Sequence, residues 1–307
     1  MKNKKIEDIK VSIIVPTYKR SDYLIRSIES ILNQSHKNIE IIVIDDNSEG
    51  SEFRKKTKLK LDMYRNDKRV KYIKNIKNVG GSISRNNGIY KSTGEYITFL
   101  DDDDIYLVDK ISKQLEFMIN NNLEVCFTDL RIHNTNNKLI DYRKFDNISS
   151  FENSELLKYH ITRQITGTPT FMYKAEVIKK IGGFPDVKMG QEFFLMLRTI
   201  EENYRIGYLR EADVIAYAHD GEKISKGPNK IIWQKKIYNM KKKYFHMLNN
   251  KEKRYLKFRY QVVLAIAYKR NNEYFKFVLY MIYTMVINPI TVLKEVYNFI
   301  VSKIKYK

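Results

Sequence analysis

Short apolar runs alternate with helical patterns over the first hundred residues of the chain. Four of these runs predict strands, at residues 11–15, 40–44, 70–73 and 96–100. Between them apolar residues recur at helical spacing, most clearly after Ser21, which can cap the first helix. Because the strands are apolar on both faces and are joined by helices, the pattern predicts a mostly parallel central sheet flanked by helices.

Polar loops follow three of the predicted strands. They are Pro16-Thr17-Tyr18, Asp45-Asp46-Asn47-Ser48 and the four aspartates at 101–104. In open parallel sheets, ligands bind beyond the carboxyl ends of the strands, so the three loops predict a site there. Four adjacent carboxylates repel one another, and a hard divalent cation would relieve that repulsion by taking their oxygens as ligands. Taken alone, the acidic run is equally compatible with a solvated turn.

Size and cysteine content limit the class of protein. The 307 residues, 43% of them hydrophobic, can form one large α/β domain with an appendage, or two modest domains. The single cysteine, Cys126, excludes an internal disulfide and suits a reducing compartment. Residues 1–10 are charged and the apolar run after them is too short for a secretory signal, so we expect a cytoplasmic location.

The C-terminal segment, residues 228–307, is basic, aromatic and predicted to be helical. Its 18 Lys or Arg and three Glu carry +15 of the net charge of +20. Residues 274–289 are nearly uncharged but fall short of the roughly 20 that a spanning helix needs. We therefore expect an interfacial helix that holds the protein peripherally at the inner face of the cell membrane through anionic lipid. Packing within the chain or in a homo-oligomer is an alternative, and nucleic-acid binding is the least favoured.

Four stretches, taken in order, resemble the family 2 glycosyltransferases of the GT-A fold. They are Val-Ser-Ile-Ile-Val-Pro-Thr-Tyr at 11–18, Ile-Asp-Asp-Asn-Ser at 44–48, Asn-Val-Gly-Gly-Ser-Ile-Ser-Arg-Asn-Asn-Gly at 78–88, and Phe-Leu-Asp-Asp-Asp-Asp at 99–104. The resemblance covers roughly residues 10–220. It implies a GT-A domain at 1–227, with a donor half at about 10–105 and an acceptor half at about 106–227, before the helical extension at 228–307.

The resemblance also implies an activity. Such an enzyme moves a sugar from a UDP-sugar to a glycan or polyprenyl-linked oligosaccharide acceptor in bacterial surface-polysaccharide synthesis, with Mn²⁺ or Mg²⁺ as its cofactor. The residues implied to bind the donor are Pro16, Thr17, Tyr18, Asp46, Asn78, Arg85, Asp101 and Asp102. Asp46 would accept the N3–H of uracil, with a turn residue as the alternative. Arg85 would contact uracil or phosphate oxygens, with a surface salt bridge as the alternative, and Asn78 would bind the base or ribose.

The Asp-x-Asp signature of the family falls on Asp101 and Asp103. The resemblance implies that Asp103, together with Asp101, coordinates the metal, while Asp101 or Asp102 serves the ribose and a metal-bound water. Because all four residues are aspartates, the sequence does not divide these roles, and Asp104 is expected to cap a helix that begins near Leu107. His219 would complete the metal sphere, with a structural or acceptor-side histidine as the alternative.

Glu192 is the residue implied to act as general base. It stands in Gly-Gln-Glu-Phe-Phe-Leu at 190–195, where the family often has an acidic pair at the start of a helix. A base there would take the proton of the acceptor hydroxyl in a single displacement, which inverts the anomeric configuration. The alternative is a helix N-terminal acid favoured by the dipole.

Two other functions compete with this interpretation. A nucleotidyltransferase would need a glycine-rich phosphate loop after the first strand, and residues 16–20 contain no glycine. A catalytically inactive scaffold or a nucleic-acid-binding protein would not require the acidic run or Glu192. Nucleic-acid binding would also weaken steeply with salt.

Overall fold

A computed structural model describes residues 5–218, 228–293 and 297 of the chain. The chain divides into two compact units, which we name the sheet unit (Met1–Asn153 and Thr166–His219) and the helical unit (Ser154–Ile165 and Asp220–Lys307). Residues 154–165 thus join the helical unit although they lie within the predicted acceptor half. The boundary predicted at 227/228 stays a prediction.

Eleven strands lie within the described part of the sheet unit. They are β1 (Val11–Thr17), β2 (Ile39–Asp45), β3 (Val70–Lys74), β4 (Tyr96–Phe99), β5 (Ile105–Tyr106), β6 (Val125–Thr128), β7 (Leu130–Asn134), β8 (Leu139–Arg143), β9 (Met172–Lys174), β10 (Ile206–Leu209) and β11 (Val214–Ala218). A seven-stranded sheet has the order β10-β6-β9-β4-β1-β2-β3, and a four-stranded sheet has the order β5-β11-β7-β8. In the larger sheet β9 is antiparallel to both neighbours and all other pairs are parallel. The predicted mostly parallel sheet is confirmed.

Helices connect the strands of the sheet unit and make up the helical unit. The helices of the sheet unit are α1 (Ser21–Leu32), α2 (Glu52–Leu61), α3 (Gly81–Lys91), α4 (Lys110–Asn120), α6 (Ala175–Lys180) and α7 (Gln191–Glu201). The helices of the helical unit are α5 (Asn153–Arg163), α8 (Pro228–Lys241), α9 (Asn250–Arg270) and α10 (Tyr274–Ile287). In the sheet unit, α3 packs closely on β1: a Cβ added at Gly88 would lie 2.5 Å from Ile14 Cγ2.

One sequence prediction fails at the end of the acidic run. The helix after it begins at Lys110, not near Leu107, and Asp104 does not cap it. Instead Asp104 Oδ1 accepts the backbone N–H of Tyr217 at 3.0 Å. The reason is the short strand β5, which directly follows Asp104 and pairs with β11, so that the chain continues as strand before it turns into α4.

Glu40 and Lys110 are among the charged side chains that are buried inside the sheet unit. Glu40 is 1% exposed and accepts hydrogen bonds from Lys71, Ser12 and Thr93. Burial raises its pKa, but these hydrogen bonds outweigh burial and lower the pKa to about 2. Lys110 donates to Thr98 Oγ1 at 2.7 Å, and burial lowers the pKa of its ammonium to about 7. Both groups therefore tie the folding of the sheet unit to pH.

The helical unit has a small core of its own. Ile231, Leu264, Ala267 and Tyr268 pack together between α8 and α9. The start of α9 is fixed by a capping box, in which Asn249 and Glu252 exchange hydrogen bonds. No helix among the residues described by the structure is long and apolar enough to cross a bilayer.

Candidate active site

The three polar loops predicted to form a site meet at the carboxyl ends of β1, β2 and β4. Thr17 Oγ1 at the end of β1 donates to Asp102 Oδ2 at 2.7 Å, which joins the first loop to the acidic run. The backbone N–H of Asp46, just beyond β2, donates to the carbonyl of Thr17 at 2.9 Å. Parallel pairing of β1 with both β2 and β4 brings these strand ends together.

Asp46 organises the loop before α3. One carboxylate oxygen accepts from Asn75 Nδ2 and the N–H of Val79, the other from Asn78 Nδ2 and the N–H of Gly80, at 2.8–2.9 Å. The side chain is 3% exposed, so a uracil N–H would have to displace one of these donors. The uracil role of Asp46 stays a prediction. Asn78 donates a hydrogen bond to the carboxylate of Asp46.

Arg54 is a buried arginine that the sequence analysis did not identify, and it holds two neighbouring loops together. Arg54 Nε on α2 lies 3.0 Å from Asp45 Oδ2, and both side chains are at most 10% exposed. Arg54 Nη2 donates to the backbone carbonyls of Asp45, Asn47 and Asn75. One guanidinium therefore holds the loop after β2 against the loop after β3, on which the Asp46 network is built.

Two arginines contact different aspartates of the acidic run. Arg20, on the loop after β1, lies with Nη1 2.5 Å from Asp103 Oδ2 and 3.7 Å from Asp102 Oδ1. Burial, followed by the charge of Asp103, raises the pKa of Asp102 to about 7. The other end of the run is held by Arg85 on α3, whose Nη2 donates to Asp101 Oδ1.

Asp102 and Asp103 fit a hard divalent cation. Both carboxylates already converge on one positive group, the Arg20 guanidinium, and burial together with the charge of Asp103 raises the pKa of Asp102. Carboxylate oxygens are the ligands that Mg²⁺ and Mn²⁺ prefer. In the described residues no cluster of three or more acidic, histidine or cysteine side chains could hold a metal. Of the other two predicted ligands, Asp101 accepts a hydrogen bond from Arg85, and His219 lies outside the described residues.

Arg85 also connects the acidic run to the helix that carries Glu192. Its Nη1 donates to Gln191 Oε1 at 3.1 Å, and Gln191 is the first residue of α7. Glu192 follows as a half-buried residue, and no hydrogen bond reaches its carboxylate from the part of the chain that the structure describes. The predicted base therefore lies at a helix start that two hydrogen bonds link to Asp101.

The remaining predicted donor residues lie on the first loop. Pro16 is half-buried within β1, whereas the ring of Tyr18 is 41% exposed and the backbone N–H of Tyr18 lies 3.4 Å from Asp102 Oδ2. Their roles toward a ligand stay predictions. The sequence analysis did not identify Arg20 or Arg54. Arg20 lies two residues after the Pro-Thr-Tyr stretch, and only its position after a strand could have indicated it.

Comparison with known proteins agrees with this geometry. The model of the family described as "Glycosyl transferase family 2" matches residues 12–182. That match spans more than half of the chain and includes the loops at Thr17, Asp46 and Asp101. The chain belongs to glycosyl transferase family 2. This confirms the predicted family and the predicted enzyme class, a glycosyltransferase, and it disfavours the nucleotidyltransferase alternative.

Individual relatives of this family 2 chain support the same assignment. It is 34% identical over 228 residues to an uncharacterized glycosyltransferase of Rickettsia bellii, covering 73% of this chain but only 31% of that protein. It is 33% identical over 131 residues to WfgD of Escherichia coli, named a UDP-Glc:alpha-D-GlcNAc-diphosphoundecaprenol beta-1,3-glucosyltransferase, covering 43% of this chain and 49% of WfgD.

A solved structure confirms the GT-A architecture. TarS 1-349 of S. aureus, crystallised in complex with UDP-GlcNAc, superimposes with a TM-score of 0.60 at 20% identity. The match covers 87% of this chain and 73% of that one. At this identity the likeness shows the fold alone.

Proposed function

We propose that this family 2 chain is a metal-dependent, inverting glycosyltransferase that uses a UDP-sugar and acts in surface-polysaccharide synthesis. The observation that carries the proposal is the direct contact between the loops after β1, β2 and β4, made through Thr17, Asp46 and Asp102. Relatives support the donor class, since the name of WfgD specifies UDP-Glc and TarS was crystallised with UDP-GlcNAc.

The donor would lie across this edge of the sheet, with its base near Thr17 and Tyr18 and its diphosphate near Asp102 and Asp103. A divalent cation bound by Asp102 and Asp103 would neutralise the charge of the leaving diphosphate. Arg85 is suited to a contact with the donor, because its Nε is buried and has no hydrogen-bond partner among the described residues. That N–H remains for an oxygen of the ligand.

Glu192 would accept the proton of the acceptor hydroxyl. As the hydroxyl oxygen bonds to the anomeric carbon, the bond from that carbon to the diphosphate oxygen breaks and UDP leaves. The attack comes from the face opposite the diphosphate, so the product has inverted configuration. By analogy with the lipid-linked substrate in the name of WfgD, we propose a polyprenyl-linked or other glycan acceptor.

The first experiment is a donor screen by UDP release, with Mn²⁺, with Mg²⁺ and in EDTA. We expect one UDP-sugar to be hydrolysed or transferred only with metal, and Asp103→Asn to abolish the reaction. The matched control is Asp109→Asn, because Asp109 lies outside the acidic run at the N-cap of α4. Metal-independent turnover of a UDP-sugar would refute the metal role, and turnover of other nucleotide-sugars alone would refute the donor.

The second experiment tests the base. Glu192→Gln should bind UDP as the unaltered protein does but lose at least about 100-fold in transfer rate, as expected when a general base is removed. Glu202→Gln, an exposed change just beyond the other end of α7, is the control. Full transfer activity in Glu192→Gln would place the base elsewhere.

We propose further that α10 contacts an anionic membrane surface. Its apolar side chains Phe275, Ile282 and Val286 are 81%, 55% and 74% exposed and lie at helical spacing, i, i+7 and i+11. Since residues 228–307 carry +15, the apolar stripe lies in a strongly basic segment, which suits anionic lipid. This would hold the protein peripherally at the inner face of the cell membrane.

Vesicle sedimentation tests the membrane contact. Phe275→Gln combined with Ile282→Gln should weaken binding to phosphatidylglycerol vesicles, while Leu59→Gln, an equally exposed change on α2, should not. If the double variant binds vesicles as before but no longer forms a dimer in light scattering, α10 contacts a second copy of the chain and not a membrane.

A further inference from the structure

The loop that precedes α7 is fixed to α3 by a pair of hydrogen bonds. Asn86 Nδ2 on α3 donates to the carbonyl of Phe184, and the N–H of Phe184 donates to Asn86 Oδ1, both at 2.8 Å. Gly183 permits this contact, because a Cβ added there would clash with Asn86 Oδ1. The Phe184 ring is 1% exposed and meets Phe99 of β4 edge-on, with ring centroids 5.0 Å apart. The helix α3 therefore sets where the chain approaches α7.

A second contact between α3 and this part of the chain reaches the residue before Glu192. Arg85 on α3 donates from Nη1 to Gln191 Oε1 at 3.1 Å and from Nη2 to Asp101 Oδ1 at 2.5 Å. Gly81 leaves room for this contact, since a Cβ added there would lie 3.0 Å from Arg85 Nη1 and 3.6 Å from Gln191 Oε1. We name the three side chains Asp101, Arg85 and Gln191 the Arg85 bridge.

The guanidinium of the Arg85 bridge is held in one orientation. The Arg85 side chain is 12% exposed, and its guanidinium carbon lies 5.5 Å from the centroid of the Phe184 ring. The guanidinium is planar and its N–H groups point in fixed directions. A rotation that follows a change at Asp101 therefore also moves the N–H that Gln191 accepts. The bridge links the acidic run to the start of α7 through side chains alone.

We propose that Gln191 is a positioning residue that adjusts the place of Glu192 to the occupancy of the donor site. The inference rests on the proposed function, in which Arg85 contacts the donor and Glu192 is the base. A nucleotide that reorients Arg85 moves the start of α7 through the amide oxygen of Gln191. Glu192 is then aligned before the acceptor hydroxyl arrives, and such alignment is worth a large factor in rate.

Amide hydrogen exchange with UDP and Mn²⁺ tests the bridge without an acceptor. The N–H of Phe194 donates to the carbonyl of Gly190 at 3.0 Å, so its exchange reports how firmly the first turn of α7 is closed. We expect UDP with Mn²⁺ to slow this exchange at least threefold in the unaltered protein. Gln191→Met removes the amide oxygen at similar length and should lose that slowing, while calorimetry shows a UDP affinity within threefold.

Three further variants separate the hydrogen bond from a general effect on folding. Gln191→Glu keeps an acceptor oxygen within reach of Arg85 and should retain the slowing. Gly81→Ala should reduce it, because the added Cβ presses on Arg85 Nη1 from α3 and leaves α7 unaltered. Gln234→Met, a half-buried change on α8 in the helical unit, is the matched control. Thermal melts followed by circular dichroism check that each variant folds.

The rate of UDP release from the donor identified in the screen should follow the exchange data. Gln191→Met should lower kcat at least tenfold with KM within threefold, and Gln191→Glu should restore kcat. The proposal is overturned if UDP does not slow the exchange in the unaltered protein, or if Gln191→Met behaves as Gln234→Met does. It is also overturned if Gln191→Glu is impaired as much as Gln191→Met, or if Gln191→Met loses UDP affinity and not kcat.

The same data distinguish a failure of this inference from a failure of the proposed function. If the unaltered protein binds no UDP in the presence of Mn²⁺, the proposed function fails and the inference fails with it. If UDP binds and Gln191→Met keeps both the slowing and the rate of the unaltered protein, only the role of Gln191 is refuted.

Discussion

Replacement of Arg54 by methionine should destabilise the sheet unit strongly. Methionine has a similar length, so the change removes the guanidinium and leaves little cavity. Asp45, which is 0% exposed, then loses its cationic partner, and three backbone carbonyls lose a donor. Removal of one partner from a buried ion pair costs about 3–5 kcal/mol. That is a large part of the roughly 5–15 kcal/mol that stabilises a typical domain.

The expected fall in melting temperature is about 10 °C, since a domain of this size loses about 2–4 °C per kcal/mol. Urea unfolding should be followed by far-UV circular dichroism, because the single tryptophan, Trp233, lies in the helical unit and does not report on the sheet unit. Arg65→Met is the control: its ion pair with Asp62 is 3.7 Å long and exposed, so its loss should cost at most about 1 kcal/mol.

The Arg54 reasoning also predicts a weaker affinity for UDP. Arg54 does not line the donor site but holds the loops that form the Asp46 network, so its loss should lower affinity through displaced loops. If Arg54→Met proves no less stable than Arg65→Met, the buried guanidinium does not hold these loops and the reasoning is refuted.

Three further perturbations test the interior. The folded pKa of Lys110, about 7, lies below its usual 10.5, so stability should rise with pH between these values; Lys110→Met should abolish that rise in urea titrations. The folded pKa of Glu40, about 2, lies below its usual 4.5, so its stabilisation should be lost as pH falls through this window. Acid unfolding of Glu40→Gln should lack that contribution. Gly88→Ala should cost about 1–3 kcal/mol in thermal melts through its clash with Ile14.

Much of the donor half could be predicted from local pattern. Apolar runs fix β1, β2 and β4, and parallel pairing then requires the residues just beyond them to share one edge. The contact between Thr17 and Asp102 follows from that rule. The contact of Asp104 could not be predicted in this way, because its partner is Tyr217, 113 residues away. Tyr217 lies on β11, and no local pattern indicates that β11 pairs with β5.

The sequence by itself determined the order of strands and helices over the first hundred residues, the acidic run at a strand end and the concentration of basic charge after residue 227. These features depend on neighbours a few positions apart, so periodicity and composition reveal them. Only the tertiary structure decided which cation each carboxylate meets and that Arg54 holds two loops. Such contacts join distant parts of the chain, and their energies depend on burial that exists only after the chain has folded.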